Sequence, residues 1–239
     1  MIDRVASWIR SAERVVVLTG AGMSAESGVP VFRGPGGLWR QFKPEDLATP
    51  DAFEKHPTLV WEWYVWRRER IAQARPHAGH TMIAELEARR TGVTLLTQNV
   101  DGLHQRAGSP SPVELHGNLW RVRCARGCGF AARDGDHDPP RTMLHCRCGA
   151  WLRPEVVWFG EALDARTLDA AVDAMRRAQV ALIVGTSAVV YPVAALPDMV
   201  RDNGGRIVEI NVEETPLSAR ADAVLRGPAG LVLTKLAAT

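Results

Sequence analysis

The chain has 239 residues, 46% hydrophobic and 23% charged, enough apolar material for one substantial core with a small lobe beside it. A net charge of +2 is too small to argue for nucleic acid or an acidic membrane as partner. No apolar run is long enough to cross a bilayer, and Met1-Ile2-Asp3-Arg4 opens no apolar stretch of the secretory kind. A cytoplasmic location is therefore expected, where four cysteines read as metal ligands rather than disulfides.

The N-terminus predicts an amphipathic helix with Ile2, Val5 and Ile9 on one stripe. Apolar runs follow at 15–18, 93–97, 180–184, 207–210 and 223–225. Near-continuous runs of this kind suit parallel strands covered on both faces. Helical patterns over 81–90, 165–178, 192–202 and 228–237 lie between several of them. Strand alternating with helix predicts right-handed crossovers and an α/β fold with a doubly wound, Rossmann-like parallel sheet.

Two segments break that rhythm. One begins as a Gly/Pro loop and continues into a tryptophan-rich helical stretch; the other holds all four cysteines. Residues 1–35, 77–118 and 154–239 are assigned to the main domain. Residues 36–76 form a helical insertion and 119–153 a cysteine module, the two packing together as a smaller lobe. A cleft between lobes is the expected place for ligands.

Directly after the first strand comes Gly20-Ala21-Gly22-Met23-Ser24-Ala25, a G-x-G-x-x-A pattern. Its glycines would let the backbone approach a pyrophosphate, and a following helical turn would supply N–H groups and a favourable dipole. A plain tight turn fits the same residues. A dehydrogenase would carry, about 20 residues on, a second strand ending in an acid for the ribose. Here Phe32-Arg33-Gly34-Pro35-Gly36-Gly37-Leu38-Trp39 reads as a loop, and Glu45 and Asp46 follow in no strand context. Hydride transfer is disfavoured.

The second strand runs into Thr97-Gln98-Asn99-Val100-Asp101-Gly102-Leu103-His104. Amide and acid side chains at the carboxyl end of a parallel strand face the ligand crevice, although an Asx-stabilised turn would use the same residues. Glu114-Leu115-His116-Gly117-Asn118 marks another strand end and carries an imidazole, the group suited to proton transfer near neutral pH.

Taken together, the block from Gly20 to Gly28 with Phe32-Arg33, then Gln98-Asn99-Val100-Asp101 and His116-Gly117, resembles the signature of the sirtuin family. Val157-Trp158-Phe159-Gly160-Glu161, Gly185-Thr186-Ser187 and Glu209-Ile210-Asn211 are similar to later sirtuin motifs, in the same order, so the resemblance runs from about Val15 to Gly230. It implies an NAD-dependent protein-lysine deacylase in which NAD is consumed rather than reduced. The acyl oxygen of a modified lysine would attack the ribose carbon and displace nicotinamide. His116 would be the base that activates a ribose hydroxyl toward the resulting imidate. The products would be lysine, nicotinamide and O-acyl-ADP-ribose.

By the same resemblance Ala21, Arg33, Gln98, Asn99 and Asp101 would line the ribose and nicotinamide end, and Ser187 and Asn211 would hold the adenosine half. Gly20, Gly22, Phe32, Trp39, Gly185, Thr186, Val212, Glu213 and Ala229 complete the expected NAD-binding set. The run Val156-Val157-Trp158-Phe159, with Gly160, would pair with substrate backbone as an added strand.

Cys124 and Cys128 have three residues between them and Cys146 and Cys148 have one, with 17 separating the pairs. Four thiolates in two close pairs can close a tetrahedral structural zinc site. Sirtuins commonly carry two Cys-x-x-Cys pairs, so both spacings depart from that pattern. His145 and His137 are alternatives if one thiol cannot reach.

Within the tryptophan-rich stretch, Tyr64 and Arg67 share one helix face. Arginine beside a phenol can bind a carboxylate through charge-assisted hydrogen bonds, while a core phenol with a solvated arginine fits the same spacing. The placement resembles the acidic-acyl-selective sirtuin branch, with the small Ala48 where a bulky residue would narrow the acyl pocket. Desuccinylase and demalonylase activity are expected alongside deacetylation, on acylated lysines of proteins, from a monomer. Mono-ADP-ribosyl transfer to protein, or a non-catalytic NAD-sensing zinc module, are the alternatives; a sensor has no need of His116 beside the 98–101 loop.

Overall fold

The computed structural model describes residues 1–32, 38, 43–133 and 145–238. In chain order these form α1 (Ile2–Ser11), β1 (Val15–Thr19), a 3-10 helix over Ala21–Ser27, α2 (Pro44–Leu47), α3 (Pro50–Lys55), α4 (Pro57–Gln73), α5 (Ala78–Arg89) and β2 (Val93–Thr97). Then come α6 (Leu103–Arg106), β3 (Val113–Glu114), β4 (Gly117–Cys124), β5 (Ala131–Arg133) and β6 (Leu152–Val156). The chain ends with α7 (Ala165–Arg177), β7 (Val180–Val184), α8 (Leu196–Asp202), β8 (Arg206–Asn211), β9 (Ala223–Arg226) and α9 (Ala229–Ala237).

The main sheet has the order β3-β2-β1-β7-β8-β9, and every pair in it is parallel. β1 and β7 are buried at all five positions, as the unbroken apolar runs require. Alternate residues of β1 serve opposite faces: Val15 and Val17 pack with Val5, Ile83 and Leu233, whereas Val16 and Leu18 pack with Met175, Leu196 and Val200. Each fully buried aliphatic side chain of this set contributes about 1.5–3 kcal/mol. The strand order reverses between β1 and β7, so the chain leaves their carboxyl ends in opposite directions and opens a crevice there.

A second core joins Leu47, Phe53, Trp61 and Tyr64 of the helical segment to Leu119, Trp120, Val122 and Leu152 of an antiparallel sheet ordered β5-β4-β6. Neither piece could bury its apolar face alone, so they share one. Two long polar side chains fasten them: the Trp61 indole donates to the Leu152 carbonyl at 2.7 Å, and Arg68 Nε to the Leu119 carbonyl at 2.8 Å.

The strands of this small sheet are not legible in the sequence pattern. β4 carries an irregularity between Asn118 and Val122 that breaks the two-residue alternation by which a half-buried strand is recognised. β6 ends at Val156, and beyond it Val157 N donates to the His116 carbonyl and Phe159 N to the Ala48 carbonyl. Among the described residues no helix is long and apolar enough to cross a membrane.

Candidate active site

At the crevice, Gly20 N donates to the Val184 carbonyl at 2.9 Å and Gly22 N to the Gly185 carbonyl at 2.8 Å. A Cβ at Gly20 would stand 2.8 Å from Thr186 Cα, and one at Gly22 2.8 Å from Gly185 Cα. The glycines thus let two loops cross backbone against backbone where the sheet reverses, a requirement separate from any approach to phosphate. Gly185 completes the crossing: its φ is +60°, and a Cβ there would meet Met23 N at 2.3 Å.

Around this crossing lies a cavity of about 870 Å³. Of the residues singled out in the sequence, it gathers Gly20, Ala21, Gly22, Phe32, Gln98, Asn99 and His116 with Gly185, Thr186 and Ser187. Asn211, Val212, Glu213 and Ala229 line it as well, as do Tyr64, Arg67 and Val157, Trp158, Phe159 and Gly160. Asp101 lies beneath the wall, buried. Arg33 and Trp39 lie outside the described residues.

Polar side chains knit the strand ends under the cavity. Asn99 Nδ2 donates to the Gly20 carbonyl at 3.0 Å and to Ser24 Oγ at 3.2 Å. Ser24 Oγ donates in turn to Asp101 Oδ2 at 2.7 Å, and Leu103 N to Asp101 Oδ1 at 2.8 Å. Burial pushes the Asp101 carboxyl up, and these donors oppose the rise. Gln98 Nε2 reaches Thr186 Oγ1 at 2.9 Å, and Asn211 Nδ2 the Thr186 carbonyl at 2.8 Å. Ser24 is a member of this network that sequence reasoning passed over, although it sits inside the glycine block.

His116 stands between β3 and β4, with its carbonyl accepting from Val157 N at 3.0 Å. Its Nδ1 is 3.2 Å from the Gln98 carbonyl. A carbonyl can only accept, so Nδ1 carries the proton and Nε2 holds a free lone pair. Burial lowers the imidazole pKa below its ordinary value, against the pull of the Gln98 carbonyl. The site therefore holds a neutral imidazole able to take a proton.

Tyr64 and Arg67 are both buried, unlike a core phenol with a solvated arginine. The Arg67 guanidinium stands 5.0, 4.8 and 5.6 Å from the ring centres of Phe32, Trp63 and Tyr64. The Trp158 indole N–H donates to the Tyr64 hydroxyl at 2.8 Å, and burial raises the phenol pKa, so it stays protonated. With its oxygen accepting from Trp158, the Tyr64 proton is left for another acceptor. Ala48 also lines the cavity, and its carbonyl accepts from Phe159 N at 2.9 Å.

The segment after β6 is braced by Glu161, whose Oε2 accepts from Trp158 N and Arg153 Nη2, both at 2.8 Å. The N–H groups of Val157, Trp158 and Phe159 all have partners within the chain. A strand added along this run would have to donate to its carbonyls, which narrows the pairing expected from sequence.

Away from the cavity, the four cysteine sulfurs lie within 4.8 Å of one another. Cys124 Sγ is 3.5 Å from Cys148 Sγ, and Cys128 Sγ is 3.5 Å from Cys146 Sγ. Sulfurs around a tetrahedral zinc stand roughly 3.8 Å apart, so the donor set and its spacing fit that ion. Two glycine turns close the pairs: Gly127 N donates to the Cys124 carbonyl and Gly149 N to the Cys146 carbonyl, with φ of +73° and +82°. The short Cys-x-Cys pair reaches fully, while His145 stacks on Trp151 at 4.2 Å outside the cluster. His137 lies outside the described residues.

Comparison with known proteins agrees with this architecture. The model of the Sir2 family matches residues 20–192. NAD-dependent protein deacylase 2 of Pyrobaculum aerophilum is 53% identical over 235 residues, spanning 97% of this chain and 93% of that protein. A solved mutant Sir2 homologue in complex with ADP ribose superposes with a TM-score of 0.94 at 47% identity, covering 99% of this chain and 95% of the other. A Sir2 homolog–NAD complex superposes at 0.90, also 47% identical, over 98% of this chain and 91% of that one. The chain belongs to the Sir2, or sirtuin, family.

Proposed function

We propose that this protein is an NAD-dependent protein-lysine deacylase that releases nicotinamide and transfers the acyl group to ADP-ribose. One observation carries the reading: a neutral imidazole, protonated at Nδ1 and open at Nε2, shares a cavity with the glycine crossing and with Gln98 and Asn99. NAD, when bound, supplies the ribosyl carbon and the nicotinamide leaving group. His116 accepts the proton of a ribose hydroxyl at Nε2. Ala21, Gln98, Asn99 and Asp101 hold the nicotinamide ribose, and Ser187, Asn211, Val212 and Glu213 the adenosine half. Arg33 and Trp39 are assigned to NAD binding on the family resemblance alone. Zinc held by Cys124, Cys128, Cys146 and Cys148 is structural, fixing the small sheet. The division into a main domain (1–35, 77–118, 154–239) and a two-part small lobe (36–76, 119–153) is the matching domain proposal. A monomer in the cytoplasm completes it.

We further infer desuccinylase and demalonylase activity. A buried guanidinium and a phenol with an uncommitted proton both face the cavity, beside the small Ala48. Arg67 shares a hydrogen bond with Tyr64 but carries further N–H donors, and together with the Tyr64 proton these can be taken up by the carboxylate of an acidic acyl chain. The test is kcat/KM for acetyl-, malonyl- and succinyl-lysine versions of one peptide, in the parent and in Arg67→Met. The succinyl-to-acetyl ratio should fall about 10- to 100-fold in the variant, the worth of a charged hydrogen bond. An unchanged ratio removes Arg67 as reader. Nicotinamide release that does not depend on acyl-lysine would point instead to ADP-ribosyl transfer.

A further inference from the structure

We propose that Glu209 is a positioning residue for NAD, acting through the 212–218 loop that it anchors. The inference rests on the reading that Asn211, Val212 and Glu213 hold the adenosine half. Glu209 lies on β8, only 1% exposed, and does not line the cavity. Its Oε1 accepts from Thr215 Oγ1 and its Oε2 from Ser218 Oγ. Thr215 lines the cavity together with Val212, Glu213 and Glu214. The loop has little apolar anchorage of its own: Val212 is 63% exposed, and Leu217 is its one fully buried side chain among 212–218.

The sense of each hydrogen bond fixes the requirement for a carboxylate. Thr215 Oγ1 already accepts from Leu217 N at 3.1 Å. Ser218 Oγ already accepts from Thr215 N and from Arg226 Nη2, each at 2.9 Å. Both hydroxyl protons must therefore go to Glu209, which has only acceptors to offer. Arg226 ties the far side, donating from Nη1 to the Glu213 carbonyl and standing 3.6 Å from the Glu209 carboxylate. A buried carboxylate thus folds the loop back over its own strand and sets where Val212 to Thr215 stand at the cavity wall. An amide at 209 would turn a donor toward hydroxyls that need an acceptor.

The experiment uses Glu209→Gln and Ser218→Ala, with ADP-ribose binding measured by calorimetry beside steady-state kinetics. Glu209→Gln should raise the Kd for ADP-ribose and the KM for NAD about tenfold, with kcat and the peptide KM moving far less. Ser218→Ala, which removes one of the two hydroxyls and adds no donor, should move both constants the same way by about threefold, and it keeps the test alive if Glu209→Gln does not fold. Unchanged ADP-ribose affinity in both variants overturns the inference. So does a fall in kcat and melting temperature at constant KM for NAD, the mark of a merely structural residue. Asn211→Ala separates the two levels. If it weakens ADP-ribose binding while Glu209→Gln does not, the positioning role alone fails. If it is as silent as Glu209→Gln, the adenosine assignment fails with it.

Discussion

The proton on His116 Nδ1 decides what the other ring nitrogen can do. Held toward the Gln98 carbonyl, it leaves Nε2 as the acceptor without any need for a carboxylate partner. Burial also keeps the imidazole neutral below the pH at which an ordinary histidine charges. The deprotonated form is the working base, so kcat/KM should hold as pH falls through about 6.5 and decline only below it. A pH–rate profile with an acid limb at or above that value would contradict the assignment. His116→Ala should lower kcat about 10²- to 10⁴-fold, the usual range for a lost general base, with ADP-ribose affinity kept. Undiminished formation of O-acyl-ADP-ribose and free lysine by that variant would show that the base is elsewhere, whereas nicotinamide release, which precedes the base step, would not.

At the scale of elements, the crossing of the loops after β1 and β7 is the most constrained feature. Gly185→Ala would place a Cβ 2.3 Å from Met23 N at a φ of +60°, against backbone that cannot yield. Clash and backbone strain together should cost about 2–4 kcal/mol, read as a lower urea midpoint. A midpoint equal to the parent's would mean that the two loops separate at little cost. The small sheet depends on its metal instead. Bound metal should amount to about one zinc per chain, and chelation should open the Cys124–Cys148 turns to protease while the six-stranded sheet persists. Resistance to protease after full metal loss would overturn this.

How much of this was legible follows from the same physics. The main sheet was, because strands buried on both faces write themselves as unbroken apolar runs. The cysteine set was legible from spacing, but only geometry excludes His145. The small sheet was hidden by the irregularity in β4. Supporting residues were hidden by distance along the chain: Ser24 meets Asp101 across 77 positions, and neither residue type marks the pairing. Glu209 stood inside a recognised motif, yet its partners are hydroxyls that any surface loop could carry.

For the molecule as a whole, the interior behind the site sets its tolerance of acid. His80 and His104 are almost wholly buried, and their ring centres are 4.9 Å apart. Thr19 Oγ1 donates to Thr97 Oγ1 at 2.8 Å, so it accepts from His104 Nε2 at 3.0 Å, leaving His104 Nδ1 as a bare acceptor. His80 Nδ1 accepts from His77 N at 3.4 Å, which leaves His80 Nε2–H as a bare donor. Neither atom has a hydrogen-bond partner among the described residues, and the two are complementary in sense across the stack. Protonating His104 would turn a second donor toward the first. Burial, reinforced by the neighbouring histidines, pushes the His80 pKa down to about 2 and that of His104 to about 4. The unfolded chain takes up these protons near pH 6.5 while the folded chain refuses them. Stability is therefore complete above about 6.5 and falls as pH drops toward 4, by ~1.4 kcal/mol per pH unit for each histidine. Asp101 works the other way over part of that range, because its raised carboxyl takes up a proton more readily when folded. Glu87, raised by burial, acts with Asp101, and His116, lowered by burial, acts with the two histidines, so the share of His104 is read by substitution. His104→Asn keeps a polar group near Thr19 and removes one titration. Its urea midpoint should fall less than the parent's between pH 7 and pH 5, and an equal fall in both would place the acid sensitivity elsewhere.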